Sequence, residues 1–281
     1  MLQLKQYIKV ANLDEAYELN QKKNSVIVGG MHWLKMGKTA YGTAIDLSGL
    51  GLDQIVETDE TFEIGCMVSL RQLETHEGLN TYTAGAVREA VKDIVGVQFR
   101  NTATVGGSIW GRYGFSDVLT VFMAMDAYVV CHKAGEIPIC AYAQMKADRD
   151  VLVKIIVKKT PICMSYQAMR HAKTDFPMLT CAASYMNNCW TVAVGARPSR
   201  AKAVVDASGL GLKVTEEEAK QLALDTVGVQ EGAVKQLKIK LDKENGCVDI
   251  RMSCDVKELG YIPVVTGAFL ISRANVNDLT K

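Results

Sequence analysis

The sequence predicts an α+β protein of two domains, and three observations support this prediction. Helical and strand patterns alternate along the first 157 residues, as expected for mixed α/β organisation. A β-branched run at 151–157 is followed by Lys158-Lys159-Thr160-Pro161, where the hydrophobic pattern breaks. Beyond it, short strand patterns around Asn187-Asn188 indicate an antiparallel sheet. We therefore predict a first domain at 1–160, in two mixed α/β parts split near residue 50, and a smaller α+β domain at 161–281.

The elements of the first domain follow from capping and periodicity. Asn12 and Glu15 have the spacing of a capping box, which predicts a helix over residues 12–23. Apolar patterns predict strands at 25–28 and 44–47 and a hairpin from 54–58 and 61–65. Ser69 has the character of an N-cap and predicts the start of another helix. One apolar helical face predicts a buried helix over residues 84–97, carried by Ala86, Val87, Ala90, Val91, Ile94 and Val95.

The sequence of the second domain predicts strands followed by helices. Strand patterns lie at residues 162–169, 179–186 and 190–195. Thr215 and Glu218 form another capping box, which predicts a helix through Leu224. A last helix is predicted from about Cys254 to the region of Ser272, although glycine and proline residues interrupt its pattern.

Composition and charge exclude several classes of protein. The 281 residues include 32 Lys and Arg against 31 Asp and Glu, and 48% of them are hydrophobic, which excludes a disordered chain. The net charge of +1 disfavours a nucleic acid partner. No apolar stretch approaches the roughly 20 residues of a membrane span, and the N-terminus lacks the pattern of a signal peptide. We therefore expect a cytoplasmic protein without membrane contacts.

The eight cysteines have no metal-binding spacing. No two of them are separated by two residues, so both the C-x-x-C pair of zinc sites and the C-x4-C-x2-C run of plant-type iron–sulfur clusters are missing. Reduced and mostly buried thiols are the expected state. We predict no metal site in this chain, and any iron–sulfur centre would lie on another chain.

Two glycine pairs follow hydrophobic runs and are candidates for anion binding. We call residues 26–33, which contain Gly29-Gly30, the first glycine loop, and residues 104–108, which contain Gly106-Gly107, the second glycine loop. Glycine permits unusual φ angles and a close approach of the backbone, so successive amides can converge on a phosphate. Neither loop matches the Rossmann or P-loop pattern. Two such loops together could clamp the diphosphate of a dinucleotide with amides.

Longer motifs resemble the FAD-binding subunit of molybdenum hydroxylases, the family of xanthine dehydrogenase and CO dehydrogenase flavoproteins. Residues 100–109 read R-N-T-A-T-V-G-G-S-I, similar to the family's R-N-x-A-T-I-G-G-N-I. Gly29-Gly30 resembles its A-G-G-T-x-L loop, and residues 64–70 resemble its I-G-A-x-V-T-L. Tyr166, Arg170 and Asp175 lie in a segment similar to Y-x-K-x-x-R-x-x-F-D. These similarities follow the family order along nearly the whole chain.

The resemblance implies a set of residues that contact noncovalent FAD. Asp117 would accept a hydrogen bond from a cofactor hydroxyl, Ile94 would be an apolar contact, and Leu152 and Tyr166 would flank the isoalloxazine between the two domains. Some positions depart from the family: Met31-His32-Trp33 and Ser108 differ in size, and Gly111-Arg112-Tyr113-Gly114 replaces small residues. The residues expected to wrap the pyrophosphate are Val26, Ile27, Val28, Gly29, Gly30, Met31, His32, Trp33, Thr104, Val105, Gly106, Gly107 and Ser108.

The function implied by the resemblance is electron transfer through FAD in a xanthine-dehydrogenase-like complex. A molybdenum-binding large subunit and an iron–sulfur small subunit would carry the molybdopterin and the [2Fe-2S] clusters. This chain would pass electrons to NAD+ or another soluble acceptor, and the chemistry requires no catalytic side chain. Two alternatives stay open at this point: a stand-alone FAD-dependent reductase of the same fold, and an assembly subunit that has lost its cofactor.

Overall fold

The computed structural model describes residues 2–196, 200–205, 215, 217, 218 and 221, and the strands 234–242 and 247–254. The chain begins with a three-stranded parallel sheet in the order β1-β3-β2. Helix α1 connects β1 to β2 and packs on β2 and β3. The bounds are β1 Gln3–Lys9, α1 Leu13–Gln21, β2 Ser25–Val28 and β3 Ala40–Asp46.

A five-stranded antiparallel sheet follows in the order β4-β5-β8-β6-β7. Six short helices lie in the chain between β5 and β6, and a further helix follows β7. The strands are β4 Ile55–Glu57, β5 Thr61–Gly65, β6 Ala127–Cys131, β7 Gly135–Pro138 and β8 Leu152–Lys158. The helices are α2 Leu70–Thr75, α3 Glu77–Tyr82, α4 Ala86–Val91, α5 Val97–Arg100, α6 Val105–Trp110, α7 Asp117–Met123 and α8 Ile139–Gln144.

The C-terminal half contributes an antiparallel sheet in the order β12-β11-β10-β9. Asn187 and Asn188 have φ angles of 49° and 60°, as a tight hairpin turn between β10 and β11 requires. Strands β13 and β14 pair with each other in an antiparallel two-stranded sheet. The strands are β9 Cys163–Arg170, β10 Pro177–Met186, β11 Cys189–Gly195, β12 Lys202–Val205, β13 Val234–Asp242 and β14 Cys247–Cys254.

Helix α7 joins the core to the C-terminal sheet. Every residue of α7 is buried, and the helix packs on α4, β10 and β11. The Thr120 and Thr180 hydroxyls hydrogen-bond across this contact at 3.0 Å. The first residue of α7, Asp117, therefore lies where the helical layer meets the C-terminal sheet.

The predicted fold class is confirmed, and most predicted strands agree with the structure within a few residues. The hairpin of β4 and β5 and the Ser69 capping box of α2 are present. The helix predicted over residues 84–97 is wrong in length: α4 ends at Val91, and Val95 has a φ of 51°, which an α-helix cannot contain. Strand β1 has no counterpart among the predicted elements.

Other sequence predictions reach beyond the described part of the chain. The Thr215 hydroxyl accepts from the Glu218 amide at 3.3 Å, and the Glu218 carboxylate accepts from the Thr215 amide at 2.8 Å, so the predicted capping box is present. The rest of the helix to Leu224 and the last predicted helix lie largely outside the described residues. The division near residue 160 stays a prediction. None of the described helices is long and apolar enough to cross a membrane.

Candidate functional site

A cavity of about 790 Å³ lies where the two glycine loops meet the start of α7 and the connection between β9 and β10. Its volume is in the range of small-molecule and cofactor sites. Fifteen of the seventeen residues predicted to bind a cofactor line it. Val105 and Tyr166 are buried and do not belong to the lining. The cavity therefore gathers residues that lie more than 100 positions apart in the chain.

The first glycine loop carries backbone donors without protein partners. The chain leaves β2 at Val28, passes through a left-handed Met31 with φ 59°, and returns to helical geometry at Trp33, where φ is −79°. Within the described residues, the five amides from Gly29 to Trp33 donate to no protein acceptor. Consecutive amides in a turn that combines left- and right-handed residues form a concave site for anions. This loop can therefore hold a phosphate.

The two glycines of this loop allow it to lie against the segment that precedes the second loop. A Cβ on Gly30 would lie 2.1 Å from the Thr102 carbonyl oxygen, and a Cβ on Gly29 would lie 2.7 Å from Thr104 Oγ1. Such distances are too short for any real contact. Only glycine therefore fits at position 30, where the neighbour is backbone, while a Cβ at position 29 would displace the Thr104 hydroxyl. The close approach places the two loops in one wall.

The second glycine loop differs from the first, because its amides already donate within the protein. The Val105 amide donates to the Val68 carbonyl and the Gly106 amide to the Cys66 carbonyl, both at 2.8 Å. The next two amides donate to Thr104, one to its hydroxyl at 3.2 Å and one to its carbonyl at 3.1 Å. The second loop is thus a capped helix start held by the core. Of the two loops, the first has the unpaired amides that an anion needs.

The side chain of His32 has one buried nitrogen, Nδ1, without a hydrogen-bond partner among the described residues. Its Nε2 lies 2.8 Å from the Thr102 hydroxyl, and its ring packs on Phe99 with 3.8 Å between centroids. Nδ1 is buried and has no hydrogen-bond partner. Burial and the charge of Lys35 lower the pKa of His32, so the ring is neutral near pH 7. An unpartnered buried nitrogen in a cavity wall is suited to bond a ligand atom.

Asp117 forms a buried pair with the C-terminal sheet. Its Oδ1 accepts from the Tyr166 hydroxyl and from Arg170, each at 2.5 Å. Burial raises the pKa of Asp117 to about 6, although Arg170 and Tyr166 oppose that rise. Tyr166 lies behind Asp117 instead of in the wall, and Asp117 keeps its second oxygen for another donor. The pair connects α7 to β9 at one end of the cavity.

Two predicted apolar residues, Ile94 and Leu152, lie in the lining. Leu152 is buried at the start of β8. The Ile94 carbonyl accepts from Arg100 at 3.2 Å, and Arg100 is itself paired with the buried Glu74 at 2.8 Å. The arginine that opens the R-N motif therefore holds the Ile94 turn in place and does not reach the cavity.

Several residues outside the predicted set of cofactor contacts lie in the cavity wall or beside it. Arg170 belonged to a recognised segment, yet only the folded chain brings it to Asp117. Arg112, in the altered turn, is buried: it bonds the Tyr142 carbonyl at 3.1 Å and Asp148 at 2.9 Å, and lies 3.9 Å above the Tyr142 ring. The additional aromatic lining residues are Tyr41, Phe99, Trp110, Tyr113, Phe115 and Phe176. They are scattered over separate segments of the chain and form no periodic pattern in the sequence.

Comparison with protein families gives a match over more than half of the chain. Residues 2–160 match the model of the FAD binding domain in molybdopterin dehydrogenase. The YgfM protein of Escherichia coli (strain K12) is 28% identical over 159 residues, which are 55% of this chain and 60% of that protein. The chain thus spans less than two thirds of this curated relative.

Solved structures share the fold. Carbon monoxide dehydrogenase from Hydrogenophaga pseudoflava superposes with a TM-score of 0.67 and 21% identity, over 79% of this chain and 85% of that chain. Quinoline 2-oxidoreductase from Pseudomonas putida 86 gives a TM-score of 0.66 and 18% identity, over 78% and 84%. Because both identities are low, these likenesses establish the fold alone.

Proposed function

This chain belongs to the family of FAD binding domains in molybdopterin dehydrogenases, and from that membership we propose that it is the FAD-carrying electron-transfer subunit of a molybdenum hydroxylase. The finer proposal is a cytoplasmic, xanthine-dehydrogenase-like complex. Its molybdenum-binding large subunit would oxidise the substrate, and its iron–sulfur small subunit would relay the electrons. Molybdopterin and the [2Fe-2S] clusters belong to those partners in this proposal, and neither nucleic acid nor membrane takes part.

The observation that carries this proposal is the first glycine loop in the cavity wall, where five consecutive amides donate to no acceptor in the described part of the chain. A diphosphate needs such donors, because its charge loses water when it enters a protein cleft. Gly29 and Gly30 keep side chains out of the loop and leave the backbone accessible. The matched family segment contains this loop and the second loop that supports it.

Other lining residues fit the remaining parts of FAD. The unpartnered His32 Nδ1 is available for a polar atom of the ligand. The second oxygen of Asp117 is available for a sugar or ribityl hydroxyl. Ile94 and Leu152 offer apolar contacts for the isoalloxazine. We propose noncovalent FAD at about one per chain.

The part played by the protein is to bind and orient the cofactor. When bound, FAD would supply the redox chemistry between the partner's clusters and NAD+ or another soluble acceptor. The apolar wall excludes water from one side of the cofactor, and the Asp117–Arg170 pair holds the C-terminal sheet against the cavity. We assign no catalytic acid or base, because this transfer requires none.

Two other functions fit the same fold. A stand-alone FAD-dependent reductase would act without partners, and an assembly subunit would contain no flavin. We favour the electron-transfer subunit over the second alternative because the unpaired amides and the unpartnered His32 nitrogen are suited to a polar ligand.

The test is a pull-down of the chain from its native cells, with flavin, iron and molybdenum assayed in the same fraction. We expect flavin together with iron and molybdenum. Flavin without either metal would favour the stand-alone reductase. A colourless protein that brings down the metal-containing subunits would favour the assembly role.

A further inference from the structure

Four aromatic side chains from three separate segments form a group at the mouth of the cavity. Trp33 ends the first glycine loop, Tyr113 and Phe115 lie between α6 and α7, and Phe176 lies between β9 and β10. Their neighbouring ring centroids are 5.2–6.0 Å apart. We call these four residues the aromatic cluster. All four line the cavity.

The aromatic cluster keeps much of its surface in contact with water. Trp33 is 47% exposed, Tyr113 is 43% exposed and Phe176 is 61% exposed. Aromatic side chains bury large areas when they pack, so a group that stays open at a cavity mouth is a feature of binding sites. The Trp33 and Phe176 rings are 24° from parallel, and the Tyr113 and Phe115 rings are 15° from parallel. In each pair one ring packs on the other, and the exposure of the cluster leaves ring surface open beside the cavity.

The position of Trp33 connects the aromatic cluster to the phosphate site. Trp33 is the last of the five residues with unpaired amides, so an anion held by the loop would lie next to its ring. Nucleotides combine these two features, a phosphate and a planar ring one sugar away. Aromatic faces stack on such rings with little dependence on the identity of the ring.

We propose that the aromatic cluster is a stacking site for a planar conjugated ring. The inference rests on the proposed function, since it takes the occupant of the cavity to be FAD. Two sources of the same chemistry are the adenine ring of FAD itself and the ring of a soluble electron acceptor, such as nicotinamide or a quinone. Trp33 and Phe176 pack on each other with 5.5 Å between ring centroids, and both remain largely exposed.

The adenine source is tested by titrating the flavin-free full chain with FAD and with FMN, which has the phosphate but no adenine. Trp33→Leu and Phe176→Leu remove a ring but keep an apolar side chain, and Trp33→Phe keeps a ring. If adenine stacks here, each Leu variant weakens FAD binding about 5- to 100-fold. FMN binding stays unchanged, and Trp33→Phe recovers most of the affinity.

The acceptor source is tested with the FAD-loaded chain, reduced by dithionite and mixed with NAD+ or menadione. NAD+ takes a hydride from the reduced flavin, giving NADH and oxidised FAD with release of one proton. Menadione takes two electrons and two protons from the reduced flavin, giving the quinol and oxidised FAD. If the acceptor stacks here, the Leu variants raise its half-saturating concentration about 5- to 100-fold while the limiting rate and the FAD affinity stay unchanged.

A loss of FAD affinity in the Leu variants would identify adenine as the stacked ring. A raised half-saturating concentration of the acceptor would identify the ring of the acceptor. Either result supports the stacking site. If wild-type chain binds FAD and both Leu variants leave the FAD, FMN and acceptor constants unchanged, the stacking site is overturned and the proposed function is not. If wild-type chain binds no flavin, both are overturned. Circular dichroism checks the fold of each variant, and Phe176→Leu carries the test if Trp33→Leu does not fold.

Discussion

The contact between the two glycine loops makes Gly30 the most informative position for substitution. In Gly30→Ala, the new Cβ would lie 2.1 Å from the Thr102 carbonyl oxygen and 3.0 Å from the Ala103 Cα. Both neighbours are backbone atoms, which cannot rotate away as a side chain can. The first loop must therefore move away from residues 102–103, and its unpaired amides move with it.

The size of the effect follows from that distance. Restoring the Cβ to 3.0 Å from the oxygen requires a displacement of about 0.9 Å. Overpacking of this kind costs about 1–3 kcal/mol. At 1.4 kcal/mol for each factor of ten, this corresponds to an FAD affinity that falls about 5- to 150-fold if the loop yields. If the loop does not yield, the cost is seen in the free energy of unfolding.

The assay combines an FAD titration of flavin-free protein with urea denaturation of the same samples. Gly37→Ala is the matched control, because its Cβ would lie 3.2 Å from the Leu34 carbonyl, where a shift of a few tenths of an ångström is enough. Gly37 has a φ of −75°, so alanine fits its backbone. We expect the control to bind FAD like wild type. Wild-type FAD affinity and wild-type stability together in Gly30→Ala would refute the close approach of the two loops.

Three further predictions concern the second loop, the buried arginine and the buried aspartate. Gly107→Asp should place a carboxylate beside the bound diphosphate and abolish FAD retention with largely unchanged circular dichroism, and full occupancy would contradict this. Arg112→Ala should lower the free energy of unfolding by about 3 kcal/mol, because the guanidinium bonds the Tyr142 carbonyl and Asp148 from a buried position. Arg112→Lys should recover only part of this lost free energy of unfolding, as measured by urea denaturation. Burial raises the pKa of Asp117 to about 6 from 3.8, so the folded chain keeps a proton that the unfolded chain has lost between about pH 4 and 6. The stability of wild type relative to Asp117→Asn should therefore fall by about 2 kcal/mol from pH 4 to 7, and a flat difference would contradict the raised pKa.

Elements with local signals are predictable from the sequence. Asn12 caps α1 through its side chain, Ser69 and Gln72 form the reciprocal bonds of a capping box, and Asn187-Asn188 forms the turn of a hairpin. In each case the residues that determine the geometry are neighbours in the chain. Their physical chemistry does not depend on the rest of the fold.

Elements that depend on distant partners were not predictable in the same way. Strand β1 is mostly exposed, so it lacks an alternating apolar pattern and exists through parallel pairing with β3. The apolar face at residues 84–97 predicted one continuous helix. The left-handed conformation of Val95 ends that regularity, but a backbone angle does not change the spacing of apolar residues in the sequence. Arg100 is buried against Glu74 and bonds the Ile94 carbonyl, which places that turn at the cavity.

The candidate site separates what a motif can predict from what only the fold determines. Both glycine pairs follow hydrophobic runs, and in the structure both line the candidate cavity. Their roles differ because the carbonyls of Cys66 and Val68, which follow β5, accept the amides of the second loop. The first loop meets no such acceptors and keeps its donors for a ligand. A backbone donor is therefore available to a cofactor only where the fold leaves it without an acceptor, and no local pattern of glycines reveals that difference.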